Sequence, residues 1–137
     1  MTPQSAPIVS EQDFPVSGEI VWKAITDKHL MQQWFFEQIT DFEPRPGFET
    51  EFSVRCEGKE YLHQWNVTEV IPSQKISYGW KYGGCVGDST VQWEIQETQD
   101  GTKLTLTHVC HEPFPQDDPL MSRESCQAGW NYFLHES

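Results

Sequence analysis

The chain has 137 residues, with 21 acidic side chains against 9 basic ones and a formal net charge of −12. That length suits a single domain with a sizeable core. An acidic surface repels phosphate backbones and anionic lipid, which argues against nucleic acid and membrane surfaces as partners.

No run is long and apolar enough to span a bilayer. Residues 1–7, Met-Thr-Pro-Gln-Ser-Ala-Pro, carry neither the basic start nor the apolar stretch of a signal peptide, so the expected location is cytoplasmic. Residues 8–13 read as a short strand, broken at Phe14-Pro15-Val16. Ser17 is placed to cap a helix whose buried side is expected to carry Ile20, Val21, Ala24 and Ile25. Thr26-Asp27 reads as a second cap, followed by a short helix with Leu30, Met31 and Trp34 inward.

Glu43-Pro44-Arg45-Pro46-Gly47 is a turn or loop. From Phe48 the chain alternates. Phe48, Thr50, Phe52, Val54 and Cys56 face one way, and Glu49, Glu51, Ser53, Arg55 and Glu57 the other. A tight turn at Glu57-Gly58-Lys59 leads into a strand with Tyr61, His63, Trp65 and Val67 on one face, ended by Ile71-Pro72-Ser73. Ile76, Tyr78 and Trp80 are in phase on the next strand, and Gly83, Gly84 and Gly87 form a loop after it.

Residues 88–110 give the clearest pattern. Val91, Trp93 and Ile95 alternate with polar residues on one arm, and Leu104, Leu106 and His108 on the other. The turn falls in Thr98-Gln99-Asp100-Gly101, with Asp100-Gly101 supplying the left-handed position. His111 begins a loop that contains two prolines. From Pro119, the residues Cys126, Trp130, Phe133 and Leu134 recur at helical spacing. The order is strand, two short helices, a run of about five hairpin-connected strands and a final helix, which is α+β. The last helix is the expected cover for the apolar face of the sheet.

The four cysteines, at 56, 85, 110 and 126, have no metal-knuckle or redox spacing, and reduced thiols are expected. In His108-Val109-Cys110-His111, alternation sends His108 and Cys110 to one face and His111 to the other, so no metal site is expected, and no cofactor. Between sheet and final helix, the phasing gathers Phe52, Tyr61, Trp65, Tyr78, Trp80 and Trp93 on the strands and Trp130 on the helix, with His63 and His108 inward beside them. These residues fill a core or, for some of them, line an apolar pocket.

Several segments resemble one known family. They are Val21-Trp22-Lys23-Ala24-Ile25-Thr26-Asp27 with Trp34, Arg45-Pro46-Gly47-Phe48, Val67-Thr68-Glu69-Val70-Ile71-Pro72, Tyr78-Gly79-Trp80, residues 100–108, and Gly129-Trp130 with Phe133-Leu134. In this order they are similar to the activator of Hsp90 ATPase homologue 1-like family, of the START-like, Bet v 1-like (SRPBCC) superfamily. The resemblance spans about residues 8–134. It implies a helix-grip fold: a curved antiparallel sheet wrapped around a C-terminal helix, with two short helices after the first strand, in one domain over residues 1–137. It also implies a hydrophobic pocket between sheet and helix. The chain stops three residues after Leu134, where the family's helix usually continues, so a more open pocket mouth is expected at that end.

Fold alone does not give function. The resemblance makes binding of an apolar small molecule the expected role. The alternatives are a cyclase or dehydratase-type enzyme using His63 or His108 as its pocket acid or base, and a chaperone-regulating interaction protein. The co-chaperones that gave the family its name carry a further N-terminal domain, and only a short tail precedes Ile8, so a chaperone partner is not expected.

Overall fold

The computed structural model describes residues 7–35, 38–56, 59–83 and 87–112, together with Trp130; of residues 56 and 59 it describes the backbone alone. The described elements are β1 (Ile8–Phe14), α1 (Gly18–Thr26), α2 (Lys28–Trp34), β2 (Glu49–Cys56), β3 (Lys59–Ile71), β4 (Lys75–Tyr82), β5 (Asp88–Thr98) and β6 (Gly101–Glu112). Among the described residues the strands form one curved antiparallel sheet in the order β1-β6-β5-β4-β3-β2. Five chain-adjacent strands therefore pair as successive hairpins, and β1 joins the far edge beside β6.

The alternation fixes which face is dry. On β5, Val91 and Trp93 are buried while Glu94 and Gln96 are exposed. On β6 every second residue from Thr102 to Cys110 is buried, and His111 is exposed on the other face. The β5–β6 turn falls on the four residues expected from the sequence, Thr98 to Gly101. Thr98 pairs with Gly101, leaving Gln99 and Asp100 as the loop. Gly101 has φ +153°, and a Cβ there would run into the carbonyl of Phe14. An extra residue in β3, between Val67 and Glu69, returns Val70 to the inner face opposite Ile76.

The helices differ in detail from the sequence pattern. Ser17 is the N-cap of α1 by position, but its side chain makes no capping hydrogen bond. Val21 and Ile25 are buried, whereas Ile20 is 55 % exposed. In a helix of nine residues the one-turn pair 21/25 takes the inner stripe, and its neighbour at 20, about 100° around the axis, faces water. Asp27 does cap α2, accepting from the Leu30 amide at 3.2 Å. Met31 is buried and Leu30 is 37 % exposed. The helix expected from Pro119, the turn residues Glu57, Gly58 and Gly84, and Cys85 lie outside the described residues, as does the side chain of Cys56. Trp130, on the expected last helix, is helical and buried.

Candidate functional site

The site is built from side chains that point inward from adjacent strands. Phe52 comes from β2, Tyr61, His63 and Trp65 from β3, Tyr78 and Trp80 from β4, Trp93 from β5 and His108 from β6. None of these, nor Trp130, is more than 7 % exposed. Register brings them into rows. Phe52 stands opposite His63, and Trp65 opposite Trp80. Phe52 stacks on the His63 ring at 5.1 Å and meets Trp65 edge-on at 4.8 Å. Trp65 and Trp80 lie 5.1 Å apart, and Trp80, Trp93 and His108 each contact Trp130 at 5.4–5.9 Å. Tyr61 is four residues along β3 from Trp65, ~13 Å by strand rise, and its ring meets Tyr82. Trp22, on α1, is half-buried and packs against the edge of the core.

Phe35, at the C-terminal end of α2, sits among the indoles. Its ring centroid is 5.7 Å from Trp65, 6.3 Å from Trp80, 6.2 Å from Trp93 and 5.7 Å from Trp130. Trp34 stacks on Phe35 at 4.9 Å and ties α2 to α1 by donating to the Ala24 carbonyl at 2.6 Å. Phe42, on the α2–β2 connection, meets Trp65 and Tyr78 edge-on. Sequence patterning missed Phe35 and Phe42 because both lie beyond the last periodic residue of α2. The consecutive aromatics at 34–36, just past a helix, were the available signal.

The polar groups of this face are held neutral. His108 Nδ1 accepts the Trp130 indole N–H at 3.1 Å. An indole nitrogen only donates, so the His108 proton is on Nε2 and is donated to Ser89 Oγ at 2.9 Å. Ser89 in turn donates to the Trp80 carbonyl at 2.8 Å. One histidine thus joins β6, β5, β4 and Trp130. Ser89 was readable from its phase with Val91 and Trp93, but its partners come from tertiary contact. His63 Nδ1 donates to the Tyr61 carbonyl at 3.1 Å. Burial lowers both histidines from the ordinary 6.5 to about 4, opposed at His63 by that backbone bond. A histidine at that value is a weak base at neutral pH, and the His108 lone pair is already engaged. Trp93 donates to the Tyr78 hydroxyl at 2.8 Å, and burial raises the Tyr78 pKa. Among the described residues no Asp, Glu, Lys or Arg is buried, and no three His, Cys, Asp or Glu side chains gather as a metal site.

The outer face differs in kind. An open groove of about 600 Å³ crosses β2–β4 there, lined mostly by polar and charged side chains, Glu49, Thr50, Glu51, Gln64, Asn66 and Lys81, with Trp65 at its floor.

An antiparallel sheet whose aromatic inner face packs on a helical residue after the last strand is a helix-grip fold. The chain belongs to the Activator of Hsp90 ATPase homolog 1-like protein family, whose model matches residues 15–136. None of the curated proteins matches the sequence. Among solved structures it is similar to protein CV1439 from Chromobacterium violaceum, with 19 % identity, TM-score 0.76, and 91 % of this chain and 89 % of that one covered. CalU16 from Micromonospora echinospora has 25 % identity and TM-score 0.67, covering 93 % and 71 %. The Aha1 dimer from Colwellia psychrerythraea has 18 % identity and TM-score 0.69, covering 95 % and 91 %. Among the described residues no helix is long and apolar enough to cross a membrane.

Proposed function

We propose that this chain is a single START-like domain of the cytoplasm that binds an apolar small molecule between the inner face of its sheet and the segment carrying Trp130. The observation that carries the reading is Phe35, set among Trp65, Trp80, Trp93 and Trp130. Its ring comes from outside the sheet and occupies the position that a flat guest would take. The absence of buried formal charge among the described residues supports an apolar guest. The family's fold is consistent with this role.

Binding of a fatty acid, flavonoid or sterol is expected to change tryptophan fluorescence saturably and to raise the melting temperature, because a ligand of the native state stabilises it by mass action. Trp93→Ala or Trp65→Ala is expected to weaken binding more than Trp22→Ala. A broad apolar panel that produces neither a thermal shift nor a fluorescence change would overturn the reading.

A further inference from the structure

Tyr78 presents a buried donor that the fold leaves unspent. Its side chain is fully buried. The Trp93 indole N–H approaches its oxygen at 2.8 Å, so the hydroxyl accepts one hydrogen bond. A phenol also has one hydrogen to donate, and among the described residues that hydrogen meets no acceptor. Four other buried hydroxyls behave differently. Ser89 donates to the Trp80 carbonyl, Thr26 to that of Trp22, Thr102 to that of Val16, and Ser77 to the Gln92 amide oxygen. A buried hydroxyl with no acceptor is costly, and native proteins rarely keep one without a use.

The surroundings define what would accept that hydrogen. Tyr78 shares Trp65 and Trp93 as neighbours with Phe35: Trp65 lies 4.9 Å from the Tyr78 ring, and Trp93 is hydrogen-bonded to its oxygen. A ring standing where Phe35 now stands therefore shares two of its walls with Tyr78. Phe42 covers the Tyr78 ring at 5.9 Å from residues 38–48 of the α2–β2 connection, which are neither helix nor strand, so the cover can be exchanged without breaking the sheet. With no buried formal charge among the described residues and both histidines neutral, a carboxylate at that hydroxyl would be uncompensated, so an acid would have to keep its charged end in water. A neutral oxygen would not.

We propose that Tyr78 is the polar anchor of the site, its hydroxyl donating to the carbonyl oxygen of a flat aromatic ligand while the Trp93 N–H holds it from behind. This rests on the reading that the inner face binds a small molecule. The series Trp93 N–H, Tyr78 O–H, ligand C=O is a continuous donor chain, in which each bond polarises the next.

The test uses two probes of one shape, fluorenone and fluorene, which differ by a carbonyl in place of a methylene. Wild-type protein is expected to bind fluorenone about tenfold more tightly, the scale of one satisfied neutral hydrogen bond in a dry site. Tyr78→Phe is expected to bring fluorenone to the affinity of fluorene and leave fluorene unchanged. Independently, the carbonyl stretch of fluorenone bound to wild type is expected at lower frequency than in hexane, a readout that does not require the variant to fold. Equal wild-type affinities, a preference that survives Tyr78→Phe, or a hexane-like stretch overturns the anchor and leaves the pocket standing. Failure of both probes to bind wild type overturns the small-molecule reading and the anchor with it.

Discussion

The two inward histidines make stability fall with acid in a definite window. In the unfolded chain each imidazole takes a proton near the ordinary 6.5, whereas in the fold burial delays protonation to about 4. Above pH 6.5 both states hold the neutral ring, and the native state has its full stability. Between 6.5 and 4 the unfolded chain binds protons that the folded one refuses, so stability is lost as pH falls. The shift corresponds to about 2 kcal/mol per histidine by pH 5, rising to about 3 kcal/mol once both states are protonated. For the pair, urea denaturation followed by far-UV circular dichroism is expected to show about 4 kcal/mol less stability at pH 5.0 than at pH 7.5. Carboxylates add their own slope, so a variant isolates the imidazole. His108→Gln keeps an acceptor for Trp130 and a donor for Ser89 but cannot titrate. It should reduce the loss between the two pH values by about 2 kcal/mol, the share of one histidine. An unchanged loss, or a wild-type His108 whose ring protons titrate near 6.5 by NMR, would refute the placement of this side chain in the dry face.

Other positions offer simpler tests. Gly101→Ala is expected to destabilise by more than ~1 kcal/mol in urea melts, because φ there is +153° and the new Cβ meets the Phe14 carbonyl; a wild-type midpoint would contradict the tight pairing of β1 with the hairpin. Asp27→Ala removes the side-chain cap of α2 and should cost about 1 kcal/mol, whereas Ser17→Ala, with no such bond to lose, should cost less. Denatured protein without reductant is expected to titrate four thiols with Ellman's reagent, and a count of two or zero would contradict the reading of Cys56, Cys85, Cys110 and Cys126 as reduced.

The sheet was legible because most strands have one wet face, β4, buried on both sides from Ile76 to Trp80, being the exception. Glu94 and Gln96 against Val91 and Trp93, or Lys103 and Thr105 against Leu104 and Leu106, leave a single register that buries the apolar set. The helices were less legible. With nine residues and seven, α1 and α2 have room for one inner stripe each, and apolar Ile20 and Leu30 fall beside it, so composition alone does not say which side is dry. The nine inward residues named from phasing are all buried, but which of them meet was not readable. Tyr78 and Trp93 are diagonal neighbours, since Trp93 pairs with Ile76 and Tyr78 with Val91, and only the twisted sheet brings indole N–H to phenol oxygen. The Ser89–His108–Trp130 relay needs three segments placed at once, and no local pattern encodes that.

Core and site share the same rings here, and the distinction lies in what holds each ring in place. The rings of β3, β4 and β5 are fixed by strand pairing on both sides, so moving them breaks ladders. Phe35 and Phe42 belong to the stretch between α2 and β2, whose described residues join no strand ladder; polar contacts tie it down. Gln32 donates to the Ile39 carbonyl, Thr40 to the Glu51 carbonyl, and the Phe42 amide to Asp41. Removing a phenylalanine ring from a packed core costs about 3–5 kcal/mol. A guest ring that takes its place restores most of those contacts, so apolar complementarity alone leaves little net affinity. Selectivity must then come from something that Phe35 cannot supply. A phenylalanine has no oxygen to offer the Tyr78 hydroxyl, whereas an aromatic ketone does. In the proposed binding mode, the difference between the resident ring and its replacement is one hydrogen bond in a dry site, and that bond sets the preference among flat molecules.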